Sequence, residues 1–263
     1  MNFTDEHNAS VTRPASRVPA TQTVSFATLG CKTNQFESAA MQEVLQGAGY
    51  KIVRFEDGAD LVIVNTCTVT GATDAQSRNL VRRARRLNAG CRVIVTGCYA
   101  QVDPDALLDL PGVNLVIGNE EKQRLLDFLQ HDHQSTLVEV SDIRHAESVC
   151  LTPLTSFAGR SRAFVQIQNG CDAFCSYCII PYARGASRSA QENEILAQIN
   201  GLVESGFREV VLTGIHIGGY GADLQPRSTL NELVKRLESG SAIHRLRLGS
   251  IEPNVLSFEM LKA

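Results

Sequence analysis

The sequence predicts an α/β protein: a small amino-terminal parallel sheet with helices on its faces, followed by a second, incomplete run of βα units. Two observations carry this. Strand-like runs alternate with segments of helical periodicity, and runs such as Asp60 to Asn65 are apolar without alternation, as strands buried on both faces are.

Thr23 to Leu29 reads as the first strand, and Asn34 to Ala48 as the helix after it. That helix gathers Glu37, Ala40, Met41, Val44, Leu45 and Ala48 on one side, and Gly49 closes it. Lys51 to Phe55 is a short β segment, Asp60 to Asn65 a buried strand, and Asp74 to Leu87 a polar-faced helix leading to the strand Arg92 to Thr96. A helix is expected near Asp103-Pro104, a strand at Asn114 to Ile117 and a helix at Glu120 to Leu129. From His131 to Arg162 the rhythm is lost, and only Leu137 to Val140 is strand-like. It resumes with strands at Ala163 to Ile167, Glu209 to Thr213 and Arg245 to Leu248, and helices at Gln191 to Ser205 and Asn231 to Leu237.

The expected organisation is therefore a leader at 1–22, a first domain at 23–130, a connector at 131–160 and a second, incomplete domain at 161–263. With 263 residues and 43% hydrophobic content, both domains can bury a core, which excludes a disordered chain. The net charge of -3 gives no whole-molecule attraction to a polyanion, so RNA would have to be held by local basic patches. The polar opening Met1 to Thr23, with Pro14 and Pro19, lacks the apolar core of a signal peptide, and no run approaches a membrane span. The expectation is a cytoplasmic protein with no membrane partner.

Eight cysteines in a reducing compartment argue for metal ligation or catalysis over disulfides. Cys171, Cys175 and Cys178 form a C-x₃-C-x₂-C run that a loop can wrap around one inorganic core. Two C-x₂-C pairs, the zinc-ribbon spacing, are absent, though structural zinc with a remote fourth ligand remains open. Three thiolates on a cubane cluster leave one iron free for another molecule. Cys31, Cys67 and Cys98 each follow a strand, and in a parallel sheet the carboxyl ends share one edge, so these three can meet. Taken alone they could equally be buried core thiols. Cys91 enters a strand and reads as core, and Cys150 has no assigned task.

The segment Gly170-Cys-Asp-Ala-Phe-Cys-Ser-Tyr-Cys-Ile-Ile-Pro-Tyr-Ala-Arg-Gly185 resembles the signature loop of radical S-adenosylmethionine methylthiotransferases. Three further segments are similar to the motifs of that family's amino-terminal domain, which carries an auxiliary cluster: Leu29-Gly-Cys-Lys-Thr-Asn-Gln-Phe-Glu-Ser38, Asn65-Thr-Cys-Thr-Val-Thr70 and Thr96-Gly-Cys-Tyr-Ala-Gln101. The resemblance implies two 4Fe-4S clusters, one held by Cys171, Cys175 and Cys178, the other by Cys31, Cys67 and Cys98, with S-adenosyl-L-methionine on the open iron of the first. These six cysteines are the expected metal-ligating and catalytic residues. The second domain is then expected to be a partial radical-SAM (β/α) barrel.

The same resemblance places Tyr177 by the cluster and the adenine. The wording around Cys31, with Leu212-Thr-Gly-Ile-His-Ile-Gly-Gly-Tyr-Gly221 and Arg245-Leu-Arg-Leu-Gly-Ser-Ile-Glu-Pro253, is similar to the branch that modifies threonylcarbamoyl-adenosine in tRNA. Thr213, Gly214 and Glu252 are accordingly expected near the cofactor, with Gly214, His216, Ser250 and Glu252 at barrel-strand ends. Asn34, Gln35, Asn65 and Gln101 are expected around the auxiliary cluster. Arg78, Arg82, Arg85 and Arg86 share a broad helical face able to follow phosphates, and Arg184 and Arg188 are expected to bind phosphate or a cofactor carboxylate. Implied partners are a tRNA carrying threonylcarbamoyl-adenosine, an electron donor such as flavodoxin or ferredoxin, and a sulfur donor. Methylthiolation of isopentenyl-adenosine or of a ribosomal-protein aspartate, and an inactive iron-sulfur remnant, are the alternatives. The chain carries roughly half of such a barrel and no carboxy-terminal RNA-gripping β-barrel, so an exposed apolar sheet edge is expected.

Overall fold

In a computed structural model, which describes residues 22–130, 136–149, 154–157, 161–255 and 258, the chain opens with β1 (Thr23–Thr28), α1 (Lys32–Gly47), β2 (Lys51–Ile52) and β3 (Leu61–Thr66). Next come α2 (Gly71–Leu87), β4 (Arg92–Gly97), α3 (Cys98–Val102), α4 (Asp105–Leu108), β5 (Leu115–Ile117), α5 (Leu125–Gln130) and β6 (Leu137–Glu139). The six strands form one sheet in the order β2-β1-β3-β4-β5-β6, parallel throughout.

Alternation along β3 explains its continuous apolar run. Leu61 and Ile63 enter one core with Met41 and Leu45 of α1, while Val62 and Val64 enter the other with Val81 and Ala84 of α2. Helix α2 starts at a capping box in which Thr70 Oγ1 accepts from the Thr73 amide and Thr73 Oγ1 reciprocates.

The second half contributes β7 (Ala163–Gln166), a two-stranded antiparallel ribbon of β8 (Gln168–Asn169) and β9 (Arg188–Ser189) around α6 (Ile180–Arg184), then α7 (Glu192–Glu204), β10 (Glu209–Thr213), α8 (Leu230–Gly240) and β11 (Arg245–Leu248). Strands β11, β10 and β7 form a second parallel sheet in that order. Buried Leu230, Leu233 and Leu237 repeat at helical spacing along α8, and Thr229 caps it by accepting from the Glu232 amide at 3.2 Å.

Helix α1 joins the halves. Met41 and Leu45 serve the first sheet, whereas Phe36, 1% exposed, and Ala40 belong to the core that also holds Ala163, Val165 and Ile167. One helix buried on two sides makes the two sheets a single packed body.

One expectation changes. Leu137–Glu139, placed in the connector, pairs with Leu115–Ile117 as the sixth strand of the first sheet, which satisfies backbone groups that a free linker would leave to water. The expected open edge falls at β11, which has no further strand beside it among the described residues: Leu246 and Leu248 are only partly buried, while Arg245 and Arg247 on the other face meet Glu209 at 3.2 and 2.6 Å. Cys91 lies in the core beneath β4, as its sequence setting implies. Cys150 and the leader through residue 21 lie outside the described residues.

Candidate functional site

Sheet register brings the first thiols together. Thr28 pairs with Asn65, and Asn65 and Thr66 pair with Thr96 and Gly97, so three carboxyl ends finish level along one edge. Cys31 precedes α1, Cys67 follows β3, and Cys98 begins α3. Cys67 and Cys98 are buried and Cys31 is exposed. Burial pushes the Cys67 thiol up, and the neighbouring charges of Cys98 and Cys31 push it further, against hydrogen bonds from the Val69 amide and Thr73.

Backbone gives way around these sulfurs. A Cβ on Gly30, whose φ is +89°, would stand 2.8 Å from Cys67 Sγ, and one on Gly97, with φ +99°, would stand 2.4 Å from the Thr66 carbonyl oxygen. Asn34 Nδ2 donates to the carbonyls of Leu29 (2.7 Å) and Thr66 (2.8 Å), tying the segments that lead into Cys31 and Cys67. Asn65 Nδ2 donates to the Asn34 carbonyl and Ser38 Oγ, both at 3.0 Å. These two asparagines support the thiol-bearing loops. The Gln101 side chain instead spans the Ser141 carbonyl and the Asn119 amide. Gln35 is half-buried on α1.

Among the described residues no three His, Cys, Asp or Glu side chains converge as ligands of one metal ion. Such ligands must all lie about 2.3 Å from a single centre. A cubane takes one thiolate per iron and so holds its ligands further apart. Three neighbouring thiols beside Gly30 and Gly97, where a Cβ would meet Cys67 Sγ and the Thr66 carbonyl, fit such a cluster.

The second trio occupies the loop that β8 and β9 close. Gly170, at φ +74°, lies so near Ala186 that a Cβ would overlap its carbonyl oxygen, and the Cys171 amide donates to the Gly185 carbonyl at 3.0 Å. Cys178 N donates to the Cys175 carbonyl at 2.9 Å, a turn that curls the loop between its last two cysteines. Cys175 is exposed, and Cys171 and Cys178 are partly so. Phe174, the sole non-glycine residue with positive φ among those described, meets Tyr182 edge-on, whereas Tyr177 is 90% exposed.

Sequence reasoning missed Gln168. Its Oε1 accepts from the amides of Ile215 (3.0 Å) and His216 (2.8 Å), and its Nε2 donates to the Gly170 carbonyl (2.7 Å) and Ser187 Oγ (2.9 Å). One buried amide thus pins the entry of the cysteine loop to the end of β10. Thr213 is buried at that end, Gly214 follows it, and His216 meets Glu252 at 2.7 Å beyond β11. Ser250 is exposed nearby.

The arginines divide differently from expectation. Arg184 is fully buried against Glu37, Asn34 and Cys98 Sγ, so it faces no open mouth. Arg188, also buried, donates to the Ala186 carbonyl at 2.9 Å and the Ser148 carbonyl at 3.3 Å. Arg85 is committed to the Gly112 and Ala89 carbonyls and Asn114, and Arg78 to Tyr99 Oη. Arg82 and Arg86 keep exposed positions on α2.

The one sequence signal for the buried charges was Glu37 itself, a carboxylate among the apolar positions of α1. Burial raises its proton affinity, but Arg184 and Lys122 outweigh that and hold it down at about 2. Lys122 is pushed below the usual ammonium range by burial, which Glu37 opposes and Arg184 reinforces. Two cations share one anion, so the carboxylate gains more from the arrangement than the ammonium does.

Residues 23–118 match the family described as "Uncharacterized protein family UPF0004". The chain is 40% identical over 245 residues, 91% of its length and 54% of the relative's, to the threonylcarbamoyladenosine tRNA methylthiotransferase MtaB of Bacillus subtilis (strain 168). The protein of that name from Thermotoga maritima is 36% identical over 92% of this chain and 55% of its own length. The tRNA-2-methylthio-N(6)-dimethylallyladenosine synthase of Cereibacter sphaeroides is 30% identical over 90% of this chain and 54% of its own length. The chain thus spans about half the length of these curated relatives. Among solved structures, the radical S-adenosylmethionine methyltransferase TsrM from Kitasatospora setae, with cobalamin and a 4Fe-4S cluster bound, shares the fold at TM-score 0.57 and 14% identity, over 92% of this chain and 58% of that one.

Proposed function

We propose that this chain, a relative of the threonylcarbamoyladenosine tRNA methylthiotransferases across nine-tenths of its length, belongs to an enzyme that adds a 2-methylthio group to N6-threonylcarbamoyladenosine beside the anticodon. The observation that carries the reading is the pair of three-cysteine motifs, one on the loop that β8 and β9 close and one at the strand ends where Arg184 reaches Cys98, each without a fourth thiol in its own motif. When bound, two such clusters and S-adenosyl-L-methionine supply a radical at one site and sulfur at the other, which insertion at an unactivated C–H position requires.

The chain's own groups supply position. Cys171, Cys175 and Cys178 hold the cofactor's cluster, and the strand-end thiols Cys31, Cys67 and Cys98 hold the auxiliary one. Tyr177, 90% exposed on the loop, is free to stack on a planar ligand, with Phe174 and Tyr182 forming the apolar rim beside it. Thr213, Gly214 and Glu252 line the strand ends where a (β/α) barrel gathers its ligands. Arg188 braces the loop's far end through backbone carbonyls, acting on the cofactor's pocket and not on the cofactor.

Arg82 and Arg86 offer charge to a phosphate backbone. An electron donor such as flavodoxin or ferredoxin and a sulfur donor complete the reaction, and the enzyme works in the cytoplasm. No helix among the described residues is long and apolar enough to cross a membrane. The threonylcarbamoyl substrate is favoured over the dimethylallyl one by the higher identity to the former's enzymes, 40% against 30%.

Anaerobic reconstitution with iron and sulfide tests the reading. About eight irons per chain are expected, four for each cubane. Zinc without sulfide would refute it. Mass analysis of tRNA nucleosides then decides the substrate, since methylthiolation of the dimethylallyl nucleoside alone would reassign it.

A further inference from the structure

Arg184 ends α6, just past the second cysteine trio, yet its guanidinium lies with the first trio. Nε donates to Cys98 Sγ at 3.2 Å, Nη2 reaches Glu37 Oε2 at 3.2 Å and also Asn34 Oδ1, and Nη1 bonds Glu37 Oε1. Asn34 in turn fixes the Leu29 and Thr66 carbonyls, which precede the turns bearing Cys31 and Cys67. One side chain from the radical-loop side therefore touches, directly or through one amide, the carriers of all three strand-end thiols.

Stability alone does not account for a fully buried cation here, because well-packed apolar groups commonly replace buried ion pairs at no cost. A charge-assisted N–H···S bond does what apolar packing cannot: it favours the state of a thiolate-ligated centre that carries more negative charge.

We infer that Arg184 is a positioning residue for the strand-end site, which sets the orientation of Cys98, holds the two cysteine trios at a fixed separation, and raises the reduction potential of the centre those thiols hold. The inference rests on the two-cluster reading above.

The test uses the chain with Cys171, Cys175 and Cys178 replaced by alanine, so that only the strand-end site can load. Iron, sulfide and the midpoint potential are measured with Arg184 intact, and again for Arg184→Gln and Arg184→Lys. Lys122, 2.5 Å from Glu37, is untouched by either substitution and leaves the carboxylate a counter-ion. The expected result is about four irons in the parent, a potential displaced to more negative values in Arg184→Gln, and a smaller displacement in Arg184→Lys, which retains the charge but not the fork. Loss of iron from Arg184→Gln with unchanged far-UV circular dichroism also supports the positioning role. Equal potentials and equal iron in all three proteins would overturn it, as would unfolding of both variants, which would make Arg184 a folding element only. Absence of iron from the parent would instead refute the two-cluster reading itself.

Discussion

The Lys122 ammonium meets the Glu37 carboxylate at 2.5 Å where their side chains are only 6% and 13% exposed, with the Arg184 guanidinium on the carboxylate's other side. Helix α1, the turn before α5 and helix α6 thereby converge on a single anion. The folded-state affinity of Glu37 for a proton, at about 2, lies below the ordinary 4.5, so its contribution to stability is fully present above that ordinary value and is lost as pH falls toward 2. Urea unfolding of the iron-free protein should show stability declining through this acid window. Glu37→Gln should flatten that decline while lowering stability at neutral pH.

Gly30→Ala should empty the strand-end site. The new methyl group meets Cys67 Sγ and Cβ at 2.8 Å, and alanine resists the required φ of +89°, at a cost of about 1–3 kcal/mol in strain. Iron per chain after reconstitution should fall by about half, the loss of one of two cubanes, with the Cys171 loop still loaded.

Phe36 measures how far the two sheets depend on each other. It is 1% exposed in the core shared with Phe164 and Val165, so Phe36→Ala should cost about 3–5 kcal/mol. A single unfolding transition shifted to lower urea is the expected outcome. Two separated transitions would show sheets that fold independently.

On the proposed two-cluster reading, Cys31→Ala and Cys67→Ala should abolish methylthiolation of tRNA while leaving formation of 5′-deoxyadenosine, because those thiols belong to a different cluster from that of the Cys171 loop. Chromatographic measurement of both products from one reaction checks this, and simultaneous loss of both activities counts against separate roles.

Three arginines of α2 should separate binding from folding. Arg85→Ala removes the bonds to Gly112 and Asn114 and should lower the melting temperature. Arg82→Ala with Arg86→Ala should leave melting unchanged and reduce the salt dependence of tRNA binding by about one phosphate contact per residue removed.

The strands were legible because their apolar character is local. Leu61–Thr66 and Arg92–Gly97 fall within a residue of where Val and Ile cluster, and the turn glycines mark their limits. Helix α6 and the β8–β9 ribbon were not legible, since Ile180–Arg184 is too short for a periodicity and Gln168 pairs with Ser189 only because the cysteine loop folds back. The roles of Arg184 and Gln168 escaped for the same reason: both act on residues distant along the chain, Cys98 and His216.

The amino-acid order by itself determined the α/β class, the six thiols in their two spacings and the strands they follow, because periodicity and loop chemistry are written within a few neighbouring residues. Tertiary structure decided that α1 packs on both sheets, that β6 completes the first sheet, and that the arginine beyond the last loop cysteine turns inward to Cys98. A buried charge must find its counter-ions in space, and which carboxylate and which sulfur stand within reach is set only when the two sheets close on the helix between them.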